Sequence, residues 1–197
     1  MSREYKLLIT LLLAVAVTAA VLAQNKPKDS YGRVDKVDVS IRPLKGNQFA
    51  FELNWDNDEK LAALTFPLIV KGRDFKVHYD SVSWEGRAKY FSVKSVRPID
   101  SLQKVLVGMV YDLGQGNPPL NEGKGTVATL YFTADGKGKA APTVCDITVD
   151  TTFIGPSNVL YGVTMDGTGT VHPAYGVSRK DAAGLPAPCK ELRGANK

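Results

Sequence analysis

Apolar and polar residues trade places with a period of two over most of this chain. "VDKVDVSI" sets Val37, Val39 and Ile41 on one side, with Lys36, Asp38 and Ser40 on the other. "QFAFELNW" repeats the pattern with Phe49, Phe51, Leu53 and Trp55, and two further sets follow: Leu64, Phe66, Leu68, Val70, then Ala128, Leu130, Phe132. A strand buried on one face needs this alternation, because successive side chains point to opposite faces of a sheet. "VLVGMVY", residues 105–111, is apolar on both faces and predicts a central strand or one covered by a loop. Phe75, Val77 and Tyr79 change phase to Val82 and Trp84, which predicts a bulge near Asp80-Ser81.

Turn-forming clusters such as "LKGN", "KGRD", "GQGNPPLNEGKG", "DGKGKAAP" and "MDGTG" separate the runs. No window after Gln24 shows a helical repeat. Short strands with frequent turns and no βαβ spacing predict an all-β fold, an antiparallel two-sheet sandwich. Pro67, inside a strand pattern, points to an edge strand or a bulge. The alternation stops after Tyr175, so residues 177–197 are expected to form a flexible basic tail.

The first 23 residues read as a targeting segment: the basic "MSREYK", the apolar "LLITLLLAVAVTAAVLA", and modest residues at Val21 and Ala23 before a cleavage point at Gln24. The alternative is an uncleaved N-terminal anchor. With cleavage, residues 24–32 form a linker, residues 33–176 one domain with a full core, and no membrane-inserted segment is left. The mature protein is then secreted, periplasmic or displayed at the cell surface.

The formal net charge of +5 suggests a polyanion binder until it is located. The tail carries Arg179, Lys180, Lys190, Arg193 and Lys197 against Asp181 and Glu191. The N-terminal 32 residues carry Arg3, Lys6, Lys26 and Lys28 against Glu4 and Asp29, so the ends hold the whole excess. A neutral body has no basic face with which to release counterions from phosphates, and a nucleic-acid partner is not expected. Cys145 and Cys189 are an even pair in an exported chain, which permits a disulfide. The phase of Cys145 with Ile147 and Val149 argues instead for a buried lone thiol.

Candidate chemistry centres first on "NWDNDE", residues 54–59. As a helix-loop-helix calcium loop counted from Asp56, Asp58 suits the third position, but Lys60, Leu61 and Pro67 occupy the fifth, sixth and twelfth. The segment therefore reads as a strand connection whose side chains bond their own backbone. A calcium site that borrows Asp56 and Asp58 with a distant strand is the remaining metal option; no other cofactor is expected. The two histidines, His78 and His172, lack zinc-ligand spacing, no G-x-S-x-G elbow occurs, and no helix follows the Gly-rich loop to cradle a phosphate. An enzyme is not expected. Trp84, Tyr79 and Tyr90 fall where the alternation is least clean, and an exposed strip of such rings would stack on sugars, although large aromatics are mostly buried.

Three stretches carry a family resemblance: "FELNWDNDEKLAALTFPLIV", "VLVGMVYDLGQGNPPLNEGKGTVATLYFTADGKG" and "VLYGVTMDGTGTVHPAYGV". Together they resemble the cohesin-like family, sandwiches related to carbohydrate-binding modules. The resemblance implies a jelly roll of about nine strands that binds another protein through a sheet face. In cellulosomal members that partner is a dockerin, a calcium-loaded paired helical module, so a dockerin-like partner is implied here. The expected function is an exported, non-catalytic interaction module. The alternative is a carbohydrate-binding module serving polysaccharide binding or catabolism.

Overall fold

The computed structural model describes residues 31–112, 114, 116–135, 141–151, 160–165 and 169–189. The expected signal segment and most of the expected linker lie outside the described residues, as do the last eight residues of the tail.

Each alternating run becomes a strand. In chain order these are β1 (Lys36–Pro43), β2 (Gln48–Asn57), β3 (Leu61–Gly72), β4 (Val77–Ser83), β5 (Val93–Ile99), β6 (Lys104–Val110) and β7 (Gly123–Ala134). They are followed by β8 (Ile147–Asp150), β9 (Tyr161–Thr164), β10 (Thr170–Val171) and β11 (Ala174–Arg179). Single 3-10 turns stand at Asp100–Leu102 and Val144–Asp146. One sheet has the order β11-β1-β2-β7-β4; the other has β10-β9-β3-β6-β5, with β8 also paired to β3. The sandwich is thus all-β as expected, with short β8 and β10 raising the count above nine.

The two inner faces fill one core. Phe49, Phe51, Leu53 and Trp55 of β2 are all fully buried, as are Leu64, Phe66 and Leu68 of β3. Phe51 meets Phe132 at a tilt of 54° with ring centroids 4.5 Å apart, and Trp55 meets Phe66 edge-on at 5.3 Å, the latter a geometry that favours aromatic quadrupoles. Gly162 of β9 makes room for this cluster: a Cβ there would lie 3.2 Å from the Trp55 ring. The predicted bulge is present as a register shift between Tyr79 and Ser81 against β7.

Three expectations are corrected. Pro67 lies in a central strand and not at an edge. β9 pairs with β3 as far as Thr65, and β8 pairs only from Ile69. Pro67 falls in the gap, where β6 is the only strand paired with it among the described residues, so the missing N–H is tolerated. Second, the sheets are not wholly antiparallel, because β11 runs parallel to β1, with Lys36 opposite Ala174 and Ile41 opposite Arg179.

The third correction concerns the tail. Residues 177–179 complete β11, and residues 180–189 remain attached to the body. The Lys180 N–H donates to the Ile41 carbonyl, Lys180 bridges to Pro186, and Ala187 packs against the core. Cys189 is joined to Cys145 by a disulfide with a Cα–Cα distance of 5.4 Å, so Cys145 is not a lone thiol. Cys145 sits in the 3-10 turn ahead of β8, so the strand phase it shares with Ile147 and Val149 in the sequence does not set its direction. Arg179 secures the approach by donating to the carbonyls of Val144 and Ile147.

Candidate protein-binding face

The outward residues of the two sheets differ in kind. In the five-stranded sheet they are mostly polar: Lys36, Asp38 and Arg42 on β1 face outward with Asp56, Asn54 and Glu52 on β2, while Ser40 and Ala50 in the same phase are buried. Their charges are largely settled within the face. Arg42 and Lys180 both bond Glu52, at 3.1 and 3.0 Å, and Arg33 pairs with Asp56. Burial pushes the Glu52 carboxyl up, but the bonds from Lys180 and Arg42, together with their charges, outweigh it and hold the pKa below its ordinary value.

The outer face of the six-stranded sheet carries more apolar residues, set among Ser95, Thr65 and a few cations. Register places Val93, Val110, Ala63 and Val163 side by side across β5, β6, β3 and β9. Further along stand Leu106, Pro67, Ile69 and Ile99; Val93 is 36% exposed, and most of the others are half-buried. Gly108 lies at the middle, between Ser95 and Thr65. A Cβ built on it would meet only the Ser95 Oγ, at 3.4 Å, so the centre of the face is a shallow dent. The residues that sequence reasoning missed are these outward ones. The doubly apolar "VLVGMVY" was the signal: its strand is central, as predicted, but its second apolar face points away from the core.

Among the described residues no ring contact joins the three residues singled out for sugar binding. Tyr79 packs edge-on against Phe132 at 5.9 Å, and burial raises its pKa. Trp84 packs against the core, and Tyr90 is exposed with the Lys89 ammonium 4.7 Å above its ring.

The polar knot is a crossing between sheets. Asn57 is buried, donates to the Glu59 and Asn121 carbonyls, and accepts from the Arg87 guanidinium, whose pKa burial lowers. Asp56 and Asp58 serve Arg33, one through its side chain and the other through its N–H at 2.9 Å. That N–H is the main reason the Asp58 carboxyl sits below its ordinary range. Asp58, Asp35 and Glu59 offer oxygens within 4.8 Å of one another, while Asp56 is turned to Arg33. These are hard donors of the type calcium takes, and with one oxygen from each, backbone carbonyls or water would have to complete its roughly six to eight ligands.

This two-sheet arrangement can be set beside known proteins. No protein-family model matches the chain, and no curated protein matches it. Solved structures do. A type I cohesin–dockerin complex from Clostridium thermocellum superposes with a TM-score of 0.56 at 10% identity, covering 79% of this chain and 99% of the cohesin. The third cohesin of ScaC from Acetivibrio cellulolyticus, solved with the ScaB dockerin, gives 0.55 at 15% identity over 78% and 99%. A non-cellulosomal cohesin from the archaeon Archaeoglobus fulgidus gives 0.50 at 12% identity over 76% and 91%. The chain has the cohesin fold. Within the cohesin fold, β1 with β11 closes one sheet, and β3 with β6 forms the middle of the other.

Proposed function

We propose that this protein is an exported, non-catalytic module that binds a protein partner on the outer face of its six-stranded sheet. The supporting observation is the asymmetry between the two outer faces. One is hydrogen-bonded and charge-paired within itself; the other presents Val93, Val110, Leu106 and Ile69 around the dent at Gly108. Contiguous apolar surface on a soluble protein marks an interaction site. The fold agrees with this use, since cohesins of the same fold have been solved holding dockerins. Export is supported by the N-terminal segment and by the disulfide, a bond that persists in oxidising compartments.

The test is capture of a partner from the exported proteins of the source cells by the full chain, with two single substitutions. Gly108→Arg fills the dent; Thr129→Arg places the same side chain outward on β7 of the other sheet. Wild type and Thr129→Arg should capture the same protein, with Gly108→Arg weaker by about tenfold or more, the equivalent of ~1.4 kcal/mol. Undiminished capture by Gly108→Arg would remove the face from consideration.

A further inference from the structure

Resting on that reading of the face, we infer that the partner presents an acidic surface, with carboxylates flanking a small or apolar centre. The charge on the face is one-sided. Lys71, Arg97 and Lys104 point outward from β3, β5 and β6, against Asp150 on β8. Lys71 and Arg97 are exposed, and among the described residues neither takes part in an ion pair. This is the reverse of the other sheet, where Arg33, Arg42 and Lys180 are held by Asp56 and Glu52.

The placement of the cations follows from the register. Arg97 stands beside Leu106, and Leu106 beside Pro67, so two strand spacings separate Arg97 from β3. Lys71 is four residues along β3 from Pro67. At ~4.8 Å between strands and ~3.4 Å per residue, the two cations are ~17 Å apart at their Cα atoms. Leu106 and Ile69 lie between them. A partner whose apolar centre covers Leu106, Ile69 and the Gly108 dent would bring its own margin over both cations. Carboxylates there would find uncommitted donors, while lysine or arginine would meet like charge in a partly desolvated contact. The apolar residues between the cations favour a protein over a polyanion, whose phosphates or sulfates would gain nothing from Leu106 or Ile69.

The experiment splits the exported proteins of the source cells by anion exchange into weakly and strongly retained pools. Each pool is offered to the full chain as wild type, Gly108→Arg, and the double variant Arg97→Glu/Lys71→Glu. The captured protein should come from the strongly retained pool. Capture by the wild type should weaken about tenfold between ~0.05 and ~0.5 M NaCl, and the double variant should be weaker by about tenfold or more at the lower salt. A protein whose capture is lost on Gly108→Arg but indifferent to salt and to the double variant would overturn the acidic partner and leave the face standing. Capture unaffected by Gly108→Arg, or no capture from either pool, would overturn both. Retention of the chain on DNA or heparin that vanishes in the double variant would replace the protein partner with a polyanion.

Discussion

Trp55 donates its indole N–H to Asp35 at 2.7 Å, and neither side chain has any surface exposed. A carboxylate taken out of water is costly unless donors meet it, and an indole N–H without an acceptor carries its own penalty. The bond therefore fixes the approach to β1 against the end of β2, and with it the start of the crossing to β3. Asp35→Ala should destabilise the fold by ~2–4 kcal/mol in urea unfolding, because it strands the indole and leaves a void. Trp55→Phe should cost less than Trp55→Ala, since the ring contact with Phe66 survives in part. An Asp35→Ala midpoint equal to wild type would refute this role.

The disulfide closes 44 residues, from the 3-10 turn before β8 to the end of the described chain. Cross-links over loops of this length stabilise chiefly by restricting the unfolded chain, and ~2–4 kcal/mol is the usual range. Cys145→Ser/Cys189→Ser should lower the denaturant midpoint correspondingly. Reductant should do the same to wild type and nothing further to the double variant. Equal midpoints with and without reductant would mean that the clasp contributes only local order.

Acid should loosen the contact of Lys180 and Arg42 with Glu52. The Glu52 carboxyl is held below its ordinary value, so folding favours its charged form. The associated stability is fully present above that value and is lost as the pH falls through the lower, folded-state pKa. Because the three side chains are only part-buried and solvent still screens them, the contribution is no more than ~1 kcal/mol. Glu52→Gln should therefore cost a little at neutral pH and match wild type at strongly acidic pH. A difference between the two that stays constant across the acid range would rule out the linkage.

Much of the fold was legible because one-sided burial imposes its period on the residues themselves. Phe49, Phe51, Leu53 and Trp55 alternate in the sequence and are all buried, and the phase slip after Tyr79 is a real bulge. Pairing across the sheet leaves a fainter trace. Tyr175 and Val177 of β11 pack on the core in phase, but Gly176, Ser178 and Arg179 between and after them resemble a loop. Nothing local specifies that β11 lies parallel to β1, 138 positions earlier at Lys36 and Ala174. Likewise the gap between β8 and β9 that accommodates Pro67 is a property of three strands together. The candidate face was half legible: the strand with two apolar sides was recognised, but which side met the core depended on the partner sheet. The clasp of Cys145 with Cys189 was open from the count and closed only by the course of β11.

The course of β11 sets where the chain can be cut. A recombinant fragment stopping at residue 176, where the alternation fades, would discard half the strand lying against β1 and leave Cys145 without its mate. The uncovered length of β1 would then offer unpaired backbone amides and carbonyls to any passing chain, a template for edge-to-edge aggregation. Insolubility in such a shortened product would reflect a torn sheet margin, and extending it through Cys189 is the remedy.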